Sequence, residues 1–210
     1  MSLKFAKAPR LPAPSPVYSS DMLDQFQNVL RLYFNQIDSS FSTILGPQGG
    51  QYFSIPYGAF SDSTSQTVAA NTAQVVTLNT TDYVNGVSVV ANSKITVTVP
   101  GIYNLQWSGQ FQNTDSALHD ASIWLKKNGT NIVGSTGLIS VPNSHGGVNG
   151  HTIAGWNYFL QMAGNDYVEI WWSTDDAAVS IQAYAAGVSP TRPTTASVVA
   201  TLSFVSAIPE

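Results

Sequence analysis

The chain has 210 residues, 43% of them hydrophobic, which is enough to bury a sizeable core, yet only 10% are charged, against about a quarter in ordinary soluble domains. The net charge is −4, and the few bases (Lys4, Lys7 and Arg10 near the start, the pair Lys126-Lys127 further on) form no stripe that could track phosphates, which argues against nucleic-acid binding. The absence of cysteine excludes disulfides, thiolate metal sites and thiol nucleophiles, and no apolar stretch is long enough for membrane insertion as a helix.

Residues 1–19 are expected to be a Pro-rich extended tail or anchor. Pro9, Pro12, Pro14 and Pro16 block both helix and sheet and favour a polyproline-like course. Such a segment reads either as a leader without fixed structure or as a tether lying in a groove of another protein. MSLKFAKAPR has no apolar signal-peptide core, so a protein acting outside a cell would be expected to leave it by lysis, as part of a particle, rather than by secretion.

Residues 20–45 predict a helical stalk. Ser19 or Ser20 can cap it, and Asp21 and Asp24 place negative charge at its positive end. Leu23, Phe26, Leu30, Tyr33, Ile37 and Ile44 recur at alternating three- and four-residue steps, the seam of a coiled coil, with Ser40 interrupting it. Val29, Leu32, Phe34 and Phe41 lie outside the seam. So wide an apolar surface suits a bundle of three or more helices, or a seam plus a docking face; the plainer alternative is a helix packed on its own domain. Gly46-Pro47 supplies a stop, and residues 46–57 read as a linker with a Gly49-Gly50 joint.

From residue 58 to 210 the period changes to two. In KITVTV, Ile95, Val97 and Val99 alternate with Lys94, Thr96 and Thr98. Beyond Pro100-Gly101, Tyr103, Leu105, Trp107 and Phe111 alternate with neutral polar residues, and Ala121, Ile123 and Leu125 alternate with Ser122, Trp124 and Lys126. Asn128-Gly129 is a hairpin signal, since both residues tolerate positive φ. Val168, Ile170 and Trp172 share one face, as do Val198, Ala200, Leu202 and Phe204. Short strands divided by turns predict an all-β sandwich or jelly roll.

Four segments carry a resemblance. GVSVVANSKITVTVPGIYNLQWSGQF, IWLKKNGTNI, YFLQMAGNDYVEIWW and ASVVATLSFV resemble, in this order, the strands of the superfamily of the complement-Q globular head and tumour necrosis factor. Pro100-Gly101-Ile102-Tyr103 is the most specific piece, and Asn165 is an insertion between Gly164 and Asp166. The resemblance implies a ten-stranded jelly roll that assembles as a homotrimer through apolar faces near a threefold axis. The collagen-like Gly-x-y stalk of animal members is missing, and the helix stands in its place. SPVYSSDMLDQFQNVLRLYFNQIDSSF resembles leaders of structural proteins of marine bacteriophages, including short-tailed cyanophages.

Chemistry-bearing residues are sparse. His145 and His151 lie in the Gly/Asn-rich PNSHGGVNGH, where two imidazoles can contribute to a transition-metal site or act as polar loop residues. Asp175-Asp176 forms an acidic pair at an expected hairpin tip, with Asp115 and Asp120 in another loop. Some members of the resembled superfamily hold calcium near the trimer apex, which makes calcium the ion the resemblance implies for these loops; the plainer reading is a solvated turn, since Asp favours turns by itself, and no other cofactor is expected. Trp171 and Trp172 cannot share a face, so one of them belongs to the core, whereas Trp124 is expected outward as an interface or sugar contact. There is no Gly-x-Ser-x-Gly elbow, His-Glu-x-x-His helix or phosphate-binding Gly loop. The expectation is therefore a non-enzymatic virion structural protein: a trimeric capsid or tail fibre or knob. It would bind other virion proteins through tail and helix and adhere to a host surface glycan or protein through its head. The alternative is a bacterial carbohydrate- or calcium-dependent adhesion protein.

Overall fold

A computed structural model describes residues 7–13, 16–45 and 54–208. The Gly46-Pro47 stop, the Gly49-Gly50 joint and residues 1–6, 14 and 15 of the expected tail lie outside the described residues. The chain divides into two compact units that meet between Ser54 and Ile55.

The first unit contains α1 (Ser20–Leu45), 26 residues long, with the bounds its capping and spacing predict. The Ser19 hydroxyl accepts the Met22 N–H at 3.4 Å and the Ser19 carbonyl accepts the Leu23 N–H at 3.2 Å, which occupies two donors that a helix start leaves free. No residue of α1 is buried. Phe26, Leu30, Tyr33, Ile37 and Ile44 are half-buried, while Leu23, Leu32, Phe34 and Phe41 are exposed.

The second unit is built from antiparallel strands. In chain order they are β1 (Tyr57–Asp62), β2 (Gln66–Thr67), β3 (Gln74–Val75), β4 (Thr80–Asn85), β5 (Val87–Val90), β6 (Lys94–Val97), β7 (Gly101–Asn113) and β8 (His119–Lys127). They continue with β9 (Thr130–Asn131), β10 (Gly137–Val141), β11 (Gly150–Met162), β12 (Tyr167–Thr174), β13 (Val179–Ile181), β14 (Gly187–Val188), β15 (Thr191–Arg192) and β16 (Val198–Ser206). Ten of them span four residues or more.

Two sheets result. In the first, β4, β1, β16, β7 and β11 are successive neighbours. β11 pairs β7 along its whole length, from Gly150 opposite Asn113 to Met162 opposite Gly101. The other edge of β7 is shared by β16 and β13. In the second sheet the order is β5, β6, β12, β8 and β10, and β14 and β15 form a separate ribbon.

Alternation turns one side of each sheet inward. Tyr103, Leu105, Trp107 and Phe111 of β7 meet Ile123 and Leu125 of β8 and Ile170 and Trp172 of β12 in one apolar core. Phe111 and Trp172 cross between the sheets edge to face, ring centroids 5.9 Å apart. Gly137 of β10 is small because Trp156 of β11 lies where its Cβ would be. At the hairpin after β8, Asn128 and Gly129 adopt φ of 49° and 81°, the left-handed turn their types favour. The inserted Asn165 is also left-handed, with φ of 70°.

Candidate functional site

The outer face of the first sheet is chemically uniform. β7 contributes Asn104, Gln106, Ser108 and Gln110; β16 contributes Val199, Thr201, Ser203 and Val205. β11 adds Ile153, Gly155, Asn157, Phe159 and Gln161, and β1 adds Tyr57, Ala59 and Ser61. These four strands send no Asp, Glu, Lys or Arg outward; on neighbouring β4, Asp82 accepts from the outward Ser61 hydroxyl at 3.4 Å. Ile153 is 68% exposed, Phe159 59%, and Tyr83 of neighbouring β4 72%. A sheet face in water ordinarily carries charge; a charge-depleted surface with bare large side chains is the composition of an interface core.

The outer face of the second sheet differs. Trp124 and Trp171 stack there with centroids 6.5 Å apart, and Trp172 is the buried one of the adjacent pair. Lys126 Nζ lies 3.6 Å over the Trp171 ring and Lys94 Nζ 4.7 Å over Tyr167. The Trp124 indole N–H donates to Asn131 Oδ1 at 3.2 Å, and that of Trp171 to Glu169 Oε2 at 3.4 Å.

At one end of the sandwich, two loops converge on His119. Its Nε2 lies 3.0 Å from Asp115 Oδ2 and 3.9 Å from Asp176 Oδ2, and its Nδ1 lies 3.4 Å from Asp175 Oδ1. The imidazole side chain is 15% exposed, whereas the three carboxylates reach solvent. The Asp115 hydrogen bond, with the charges of Asp176 and Asp175, raises the imidazole pKa above its ordinary value against the opposing effect of burial. In return His119, with the Ser116 N–H, holds Asp115 below the usual carboxylate range.

Two buried polar residues brace these loops. Asn113, fully buried at the end of β7, donates to the Ala117 and Val141 carbonyls at 2.8 and 3.3 Å and accepts the Asp115 N–H at 2.9 Å. Thr174, buried at the end of β12, donates to the Asp120 and Asp176 carbonyls, each at 3.1 Å. The Asp120 N–H donates to Asp175 Oδ1 at 3.0 Å and the Asp175 N–H to the Asp120 carbonyl at 3.1 Å, joining loop to loop.

The structure thus brings Asp175 and Asp176 together with Asp115 and Asp120, the two acidic loops singled out in the sequence. His119 is the residue sequence reasoning missed. Its only local signal is the four-residue spacing from Asp115; Asp175 and Asp176 reach it through the pairing of β8 with β12. His145 and His151 are elsewhere. His145 closes a tight turn by exchanging backbone hydrogen bonds with Val148. His151 Nδ1 lies 3.1 Å from the Tyr184 hydroxyl, beside a hollow of about 240 Å3 that Gln110, Arg192 and Thr195 also line. Among the described residues, Asp115, His119 and Asp176 form the one group of three close metal-ligating side chains.

No protein-family model matches the chain, and no curated protein does.

Proposed function

We propose that this chain is a non-enzymatic structural protein of a virus particle: a homotrimer whose β head is a ten-stranded jelly roll and whose N-terminal tail and helix attach it to the particle. The observation that carries the reading is the outer face of the first sheet, where β1, β7, β11 and β16 send no formal charge outward and Asp82 of edge strand β4 bonds Ser61, while Ile153, Phe159 and Tyr83 stand exposed. That face suits burial against other copies of the chain.

The topology supports the jelly-roll part. The first and last long strands, β1 and β16, are neighbours, and the ten long strands divide five and five between the sheets. β7 to β8, β10 to β11 and β11 to β12 each cross from one sheet to the other, as a jelly roll demands. α1 supports the attachment part. With no buried residue and an apolar stripe from Phe26 to Ile44, it offers a face for partner helices or for a groove on another protein. The head would stand on the particle surface, where three equivalent loop sets favour binding to a repetitive host surface. Trp124 and Trp171, already covered by Lys126 and Asn131, are less suited to the trimer contact than the first sheet.

The test is the absolute mass of the full-length protein in dilute solution, by light scattering. Three chains are expected. A single chain at all concentrations would overturn the trimer.

A further inference from the structure

We propose that His119 Nε2, Asp115 Oδ2 and Asp176 Oδ2 form a binding site for one divalent transition-metal ion of the zinc class. This inference is independent of the trimer reading, because all three ligands come from one chain.

The spacing is the first argument. Two donors each about 2.1 Å from a tetrahedral ion lie about 3.4 Å from one another. The two oxygens lie 3.0 and 3.9 Å from Nε2, on either side of that value, and the three donor atoms all fall within 4.8 Å. Closing them on an ion requires the two loops to draw the Asp115 and Asp176 carboxylates together around Nε2.

The second argument is the division of labour within each carboxylate. Asp115 Oδ1 accepts the Ser116 N–H, and Asp176 Oδ1 accepts the Ala178 N–H at 2.8 Å. The main chain therefore holds one oxygen of each, and the other turns toward Nε2. A single proton on Nε2 can serve only one of them well, and it serves Asp115. Among the described residues no N–H or hydroxyl donates to Asp176 Oδ2. An ion at the Nε2 position would satisfy both.

The third argument is the back of the ring. Asp175 Oδ1 lies 3.4 Å from Nδ1, so when an ion replaces the proton on Nε2 the ring's remaining proton, on Nδ1, faces a carboxylate. A carboxylate behind a ligating imidazole fixes its orientation and raises its basicity. The loops are also prepared for rigidity, since the buried Asn113 and Thr174 spend their hydrogen-bonding capacity on the backbone around Asp115, Asp120 and Asp176. A metal site needs this kind of support.

The donor set selects the ion. One imidazole nitrogen with two carboxylate oxygens suits zinc and its first-row neighbours; calcium and magnesium prefer all-oxygen shells. Three protein ligands leave a coordination position toward solvent, open to a hydroxyl or carboxylate from a partner surface. Bound there, the ion would cross-link the β7–β8 loop to the β12–β13 turn.

The experiment is calorimetric titration of full-length, metal-stripped protein with zinc chloride in a non-chelating buffer. One ion per chain is expected. His119→Gln and Asp176→Asn should each weaken binding by about tenfold or more, and Asp175→Asn, which alters only the positioning residue, by about tenfold. A His145→Gln/His151→Gln double variant should bind as the parent does, and excess calcium chloride should not compete. Cobalt in place of zinc should give the visible absorption of a four-coordinate ion, lost in His119→Gln. Thermal melting of each variant without metal establishes that it is folded, and zinc at about a hundred times its Kd should raise the parent midpoint by roughly 5–10 °C. Absence of binding, equal binding in folded His119→Gln, loss confined to the His145/His151 variant, or displacement by calcium would each overturn the site.

Discussion

On the outer face of the second sheet the rings have cations over them, Lys126 on Trp171 and Lys94 on Tyr167. Asp120 stands nearby, and Leu138 and Val90 are exposed singly on its edge strands. On the outer face of the first sheet Ile153, Phe159 and Val205 are bare, and β1, β7, β11 and β16 send no formal charge outward. Both faces belong to one sandwich with one core, so fold stability does not require them to differ. The proposed trimer accounts for the difference by what each face would meet. Solvated faces carry charge, which keeps copies apart, whereas a surface destined for burial cannot carry unpaired charge without a desolvation penalty. Isolated exposed apolar residues like Leu138 are ordinary; a continuous neutral face is not.

The sharpest way to break this contrast is to charge the two faces in turn. Ile153→Asp with Phe159→Asp should convert the proposed trimer to monomers, weakening association by at least about a hundredfold, because buried interface anchors are typically worth 2 kcal/mol or more. Ser122→Asp on the second sheet should leave the mass at three chains. Light scattering on both variants reads the outcome, and equal dissociation by both would show that the faces are equivalent. Next in size is Asn113→Ala. It should lower unfolding free energy by about 1–3 kcal/mol in denaturant titration, since three backbone partners, the buried Val141 carbonyl among them, lose their hydrogen bonds. The folded fraction should remain trimeric, which separates the end of the sandwich from its outer face.

Parts of this contrast were legible in the residues. α1 follows from its caps and its three-four spacing, and β7, β8, β12 and β16 from strict alternation. Trp172 is buried and Trp171 is not, as two adjacent residues of a strand must divide. β11 was harder, for a physical reason. Its inward Ala154, Tyr158 and Leu160 alternate with outward Ile153 and Phe159, so both sides are apolar and period two fades. That loss of alternation in a strand at a sheet edge is what the proposed trimer contact would require. The candidate site was legible only as two acidic loops. His119 meets Asp175 and Asp176 because β8 and β12 pair with Thr174 opposite Ala121, and no local pattern reveals a register between segments so far apart.

Two smaller effects test the solvated side. Lys126→Ala removes the cation over Trp171 and should cost about 0.5–1 kcal/mol, with a red shift in tryptophan emission as the ring meets more water and no change in mass. The smallest concerns Asp166, which sits beside Lys127 with Nζ 2.8 Å from Oδ2. Burial pushes its pKa up, but the bonds from Lys127, the Ala163 N–H and Asn128 outweigh that and lower it to about 2. A carboxylate held lower in the folded chain than in the unfolded one stabilises the fold above the unfolded value of 3.8, and the contribution disappears as pH falls toward about 2. Both side chains touch water, so at most about 1 kcal/mol is at stake. Lys127→Met should therefore flatten the acid limb of the stability curve between pH 4 and pH 2, roughly the span between the two values, while leaving stability near pH 7 lower by that same small amount. An unchanged acid limb would mean that the Ala163 and Asn128 bonds alone hold the charge, and that this lysine, unlike Lys126 one residue before it, adds only solubility to the face that meets water.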